Sequence, residues 1–134
     1  MVVSFAVSFS FFFPHPIVAV ILGHLSLSPF SYASQCPNKG FPASTANLGP
    51  GVEDCSHANL VDGSLSQPSS VKSGYVFIYQ PRGTDDQGHI TGYAISADPL
   101  QPGVSGNRHF YSDESGIIRF ENSSGATSDS PPLT

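Results

Sequence analysis

The sequence predicts an α+β fold, with short helical segments packed on a small antiparallel sheet of about four strands and an apolar segment ahead of them. Three observations lead there. Between Lys72 and Glu121, four short runs have strand character: 75–80, 89–96, 108–112 and 117–121. Two of the turns repeat one pattern, Asp85-Asp86-Gln87-Gly88 before His89-Ile90 and Asp113-Glu114-Ser115-Gly116 before Ile117-Ile118. Finally, 13 Gly and 12 Pro in 134 residues, with only 11% charged residues against the usual quarter or so, make a chain rich in turns and poor in long helices.

The repeated turn has a mechanism. An opening Asp bonds its own backbone two residues on, and a closing Gly accepts the positive φ that a tight hairpin needs. The region therefore reads as two successive hairpins. Tyr75, Phe77 and Tyr79 alternate with Val76, Ile78 and Gln80, so the first strand is apolar on both faces and central. In the second, Tyr93 and Ile95 fall on the core side. Residues 108–112 and 117–121 read as short, edge-like strands. Asp98-Pro99-Leu100-Gln101-Pro102-Gly103 reads as a surface loop, because proline has no donor for a ladder.

Ahead of the sheet, 41–48 is spaced for one helical turn with Pro42 at its first position, and Gly49-Pro50-Gly51 ends it. Cys55, Ala58, Leu60, Val61 and Leu65 recur mostly every three or four residues and predict a second short helix. Residues 67–70 read as a Ser/Pro linker. Residues 122–134 read as a small polar, flexible tail, in which Asn122-Ser123-Ser124 fits a glycosylation triplet.

The first 38 residues contain no Lys, Arg, Asp or Glu. An apolar run extends through Leu22, interrupted by Pro14 and Pro16. It supplies the apolar core of a secretory signal, and Ser31-Tyr32-Ala33 suits a cleavage site, but a basic start is missing. Three readings stand for 1–31: a degenerate signal or anchor, a membrane segment kinked at proline, or a misassigned start. Over 3–11 the large residues alternate with a strand period. Cys36 and Cys55 behind such a segment read as an exported disulfide, worth about 3 kcal/mol if it closes without strain; the other reading is two free thiols.

Composition also excludes functions. The net charge is −5, with five scattered cations, so there is no basic footprint for nucleic acid. There is no Gly-x-Ser-x-Gly elbow, no His-Glu-x-x-His and no phosphate loop. His89 and His109 are lone strand histidines without an oriented partner in sequence. Asp54 and His57, three residues apart, are two ligands short of a structural metal site. No catalytic residue is expected. One ligand set remains: Asp85, Asp86, Asp113 and Glu114 would converge if the two turns met at one end of the sheet, and Ca²⁺ takes six to eight oxygens. The other reading is two acidic turns in solvent.

Longer stretches carry a resemblance. Tyr32-Ala33-Ser34, Gly40-Phe41-Pro42-Ala43, Leu48-Gly49-Pro50 and Lys72-Ser73-Gly74-Tyr75-Val76-Phe77 occur in the order seen in bacterial type IV pilin-like proteins. So do Ala97-Asp98-Pro99, Pro102-Gly103-Val104-Ser105-Gly106-Asn107-Arg108, Phe110-Tyr111-Ser112-Asp113, Ser115-Gly116-Ile117-Ile118-Arg119 and Ala126-Thr127-Ser128-Asp129-Ser130-Pro131. Over 32–133 the chain resembles a pilin or pseudopilin head. The resemblance implies a non-catalytic structural subunit of a pilus or secretion pseudopilus in the cell envelope. Its partners would be other subunits and, through the N-terminal segment, the inner membrane. Some pseudopilins carry a structural Ca²⁺ in a head loop. The division implied is an apolar segment 1–31, a pilin-like α+β head 32–121 and a tail 122–134.

The chain departs from that family at its start. The family's basic leader and Phe-Thr-Leu-Ile-Glu are not found in it; no acidic residue precedes Glu53 and no Lys or Arg precedes Lys39. The expectation is a subunit defective in assembly as encoded. The alternative is a secreted or membrane-anchored envelope binding module that reuses the head without polymerising.

Overall fold

The computed structural model describes residues 15–51, 54–61, 63–67, 69–122 and 125–133. The expected strand-like alternation over 3–11 lies outside them, as do Ser123 and Ser124 of the glycosylation triplet. One long helix, α1 (His15–Gln35), lies against a five-stranded antiparallel meander. The strands are β1 (Ser70–Lys72), β2 (Tyr75–Thr84), β3 (Ile90–Pro99), β4 (His109–Asp113) and β5 (Arg119–Glu121), paired in that order. The α+β class is as the sequence predicts.

No acidic residue lies in the first turn of α1 and no basic one in its last, so neither end has a charge to complement the helix dipole. Pro16 stands in the first turn, where a missing N–H removes no helical bond. Pro29 lies inside and leaves the Leu25 carbonyl without its usual donor. What holds the helix is packing. Val18, Leu22, Leu25, Pro29 and Tyr32, three or four residues apart, are all nearly inaccessible and form a single stripe against the sheet.

Alternation on the strands supplies the facing surface. The register aligns Phe77, Ala97, Phe110 and Phe120 across β2 to β5. Tyr93 and Ile95 are fully buried on this face, as expected. Tyr79 stacks on Tyr93 at 5.6 Å, and Phe30 and Phe41 meet the Tyr93 ring edge-on.

Several expectations need correction. Residues 70–72 form a strand that no expected run included, and its first residue, Ser70, was read as the end of the linker. Ser73 and Gly74 both take positive φ, the geometry of a two-residue hairpin turn, which pairs 70–72 with 75–77. The second helix over 55–65 is reduced to a 3-10 turn at Gly63–Leu65. The N–H groups of Ala58, Asn59, Leu60 and Val61 bond the carbonyls of Asn47, Gly49 and Leu48 instead of their own i−4 neighbours. The turn expected over 41–48 is a 3-10 helix at Thr45–Leu48, so Pro42 precedes it rather than starting it.

The proline-rich stretch from Asp98 contributes its first two residues to β3, where Pro99 pairs with Tyr75 as the terminal residue, a position proline tolerates. Likewise β2 runs past Gln80 through Pro81. Beyond Phe77 no β1 residue pairs with it, so it has an edge there.

The C-terminal segment is not a free tail. Phe120 N–H donates to the Pro131 carbonyl, Leu133 N–H to Ile118, and the Arg119 guanidinium to Ser130. Leu133 packs against the core. The open edge of β5 and one apolar residue dock the segment 125–133, despite its polar composition.

Candidate functional site

The two acidic turns do lie at the same end of the meander, but they are staggered along it. Asp113 pairs with Ala94, whereas the β2–β3 turn begins beyond the Thr84–Ile90 pair. Four residues of β3 separate these levels, roughly 13 Å at strand rise. Each turn also uses its own carboxylates. Asp85 Oδ1 accepts from the N–H groups of Gln87 and His89, and Oδ2 lies 3.2 Å from His89 Nδ1. Asp113 accepts from the Ser115 N–H and hydroxyl and from the Tyr111 hydroxyl. Glu114 Oε1 accepts from Tyr93 N–H at 3.0 Å. Asp86 is exposed. The expected convergence of Asp85, Asp86, Asp113 and Glu114 is therefore not what the fold builds. Among the described residues no group of three or more His, Cys, Asp or Glu side chains comes together in an arrangement suited to a metal.

These bonds set the carboxylates' electrostatics. The His89 N–H is the largest influence on Asp85 and lowers its pKa, followed by burial, which opposes it, and the Gln87 N–H. Burial would raise Asp113, but Ser115, Tyr111 and the charge of Arg119 together pull it below the usual carboxylate range. Asp54 behaves like Asp85. Its Oδ1 accepts from the Ser56 and His57 N–H groups, which lower it. The Asp54–His57 pair is thus a turn closed by hydrogen bonds to backbone.

His109 and His24 are partnered in ways the sequence did not reveal. His109 Nδ1 lies 2.6 Å from Asp98 Oδ1 across β3 and β4. His24 Nε2, on α1, lies 3.1 Å from the Leu60 carbonyl.

Cys36 and Cys55 form a disulfide with a Cα–Cα distance of 6.0 Å, which settles the pairing against the reading of two free thiols. It fastens the chain just past α1 to the loop at 54–58, where the Tyr32 hydroxyl also donates to the Cys55 carbonyl.

Two surfaces stand out. The first is the side of α1 turned away from the sheet. Val20 is 73% exposed and Leu27 64%, with Ile17 also exposed. The segment Ile17–Gln35 is long and apolar enough to cross a membrane by length and composition. The second is a cleft of about 620 Å³ between the loop after α1, the disulfide and the β2–β3 turn. Its rim includes Asn38, Lys39 and Gln87; Gln87 belongs to the first acidic turn, and no sequence pattern marked any of the three as a binding residue. Only their places beside turn glycines mark them as exposed loop residues.

No protein-family model matches the chain, and neither a curated protein nor a solved structure does.

Proposed function

We propose that the chain is a non-catalytic structural subunit of a type IV pilin-like filament, a pilus or a secretion pseudopilus, held in the cell envelope by its apolar N-terminal segment. The observation that carries this reading is α1. A helix that only completed a core would be apolar on one stripe and polar on the other. This one spends Val18, Leu22 and Leu25 on the sheet and still presents Ile17, Val20 and Leu27 outward. A helix with one flank on its own head and an apolar opposite flank is suited to meet either lipid or the helices of further subunits. The disulfide accords with an oxidising compartment. The order of motifs shared with pilin-like proteins supplies the rest.

The test changes the outer flank alone. Val20→Asp together with Leu27→Asp, expressed in the cells that make the protein, is expected to leave near-ultraviolet circular dichroism of the folded head unchanged. The same pair is expected to abolish sedimentable polymer and intersubunit cross-links. A chain that stays monomeric in those cells both as encoded and with the family's basic leader and Phe-Thr-Leu-Ile-Glu fused at its start overturns the filament reading and favours an anchored binding module.

A further inference from the structure

We infer that the cleft beside the disulfide is a binding site for a neutral, hydroxyl-rich ligand, the terminal one or two sugar units of a glycan. This goes beyond assembly and does not depend on it.

Size and rigidity come first. About 620 Å³ lies within the range of small-ligand sites, roughly 300–1,000 Å³. Its walls are tied at several points. The Cys36–Cys55 bond fixes one side. On the other, Phe41 N–H donates to the Ile90 carbonyl and Ile90 N–H to the Lys39 carbonyl, so two main-chain bonds join the loop to the hairpin. Asp54 closes its own turn on Ser56 and His57. Asn47 spans the floor, accepting from Ser44 N–H and donating to the Ser56 carbonyl. A site already held in shape loses little freedom on binding.

The chemistry follows from the lining. Lys39 and Asp54 are one cation and one anion, so the cleft carries no net charge to favour an ionic ligand. The exposed amides of Asn38 and Gln87 have no side-chain hydrogen bond among the described residues. An amide offers both donors and an acceptor, which matches a hydroxyl that also does both. Asp54 uses Oδ1 for its turn, and Oδ2 remains an acceptor for a sugar hydroxyl. Phe41, half-buried in the wall, adds apolar surface for the C–H face of a pyranose ring. An apolar ligand would leave these polar groups unpaired, at a cost for each.

The experiment titrates the full-length ¹⁵N-labelled protein, in a detergent without a sugar headgroup, with maltose, lactose, cellobiose and N,N′-diacetylchitobiose. The expected result is saturable shifts with at least one disaccharide, in the millimolar range of single-site sugar binding. The shifts should be confined to backbone amides of Asn38, Lys39, Asn47, Ser56, Gln87 and Gly88. Asn38→Ala with Gln87→Ala changes only exposed side chains. It is expected to weaken the affinity at least tenfold with an unchanged melting temperature. Val71→Ala, outside the cleft on β1, is expected to bind as the wild type does. No saturable shift with any of the four, shifts outside the cleft, or equal affinity in the double variant overturns the proposal. Saturation by glucuronate or glucosamine alone overturns the neutral-ligand assignment.

Discussion

The hydroxyl of Tyr93, on β3, donates to the backbone carbonyl of Ser26 in the middle of α1. The bond is buried, and it lies next to Leu25, whose carbonyl loses its helical donor to Pro29. Ser26 meets the sheet a second time through its own hydroxyl, 2.8 Å from that of Ser112 on β4. The helix is therefore positioned on the sheet by directional bonds as well as by its apolar stripe.

Removing that hydroxyl keeps the ring stack. Tyr93→Phe is expected to lower unfolding free energy by about 1 kcal/mol, the net contribution of one buried hydrogen bond whose carbonyl acceptor keeps its helical donor. Equilibrium urea unfolding of the two proteins measures it.

The same burial governs alkaline stability. Desolvation pushes the Tyr93 hydroxyl from its ordinary value of 10.0 up to about 12, and burial raises Tyr79 as well. The folded pKa lies above the unfolded one, so the stabilisation is complete below pH 10.0 and is lost as pH rises through about 12. Phenolate absorbance and circular dichroism, followed together from pH 9 upward, are expected to change late and in concert. Tyrosine ionisation that is complete near pH 10 with the fold intact would contradict this.

Acid acts in the opposite direction. Asp113 has a folded pKa below its unfolded value, so its contribution is present above the usual carboxylate range and is lost as pH falls through the folded pKa. Asp113→Asn is expected to cost on the order of 1 kcal/mol near neutral pH, since the group is partly exposed. The gap between variant and wild type should close toward pH 2. A gap independent of pH would assign the loss to packing.

The disulfide closes a separation of 19 residues. Replacing both cysteines by serine is expected to lower stability by about 3 kcal/mol, read from the urea midpoint. Thiol labelling of the native protein is expected to find no reactive cysteine before reduction and both after it.

Gly40 and Gly103 both have positive φ but differ in surroundings. A Cβ at Gly40 would run into the Ile90 carbonyl oxygen, whereas one at Gly103 would meet nothing within 4 Å. Gly103→Ala is expected to cost roughly 1–2 kcal/mol for backbone conformation alone. Gly40→Ala adds a clash with main chain worth about 1–3 kcal/mol more. Parallel unfolding curves separate the two terms.

Much of the sheet was legible because its signals are local. Alternation marked 75–80 and put Tyr93 and Ile95 on the core side, and the Asp-to-Gly turns marked both hairpins. The missed β1 had its own local signal, Ser73-Gly74. The site was less legible. Acidic residues in two similar turns suggested one calcium site, but the register between β3 and β4 places the turns on different levels. The cleft gathers Asn38, Asp54 and Gln87 from three segments, and no window of sequence contains them together.

The helix shows the division most clearly. By itself the sequence determined that 17–22 is uncharged and apolar, that strands follow with their inner faces assigned, and that two cysteines stand apart from any metal pattern. A segment apolar all round has no preferred face, so only contact with the sheet decided that Val18, Leu22 and Leu25 are buried and Val20 and Leu27 are not. Tertiary structure likewise decided the docking of 125–133, because an open strand edge offers hydrogen bonds that polar composition does not reveal. Alternation and turn chemistry act between near neighbours in the chain. Which face is covered, and which carboxylates meet, depends on partners dozens of residues away.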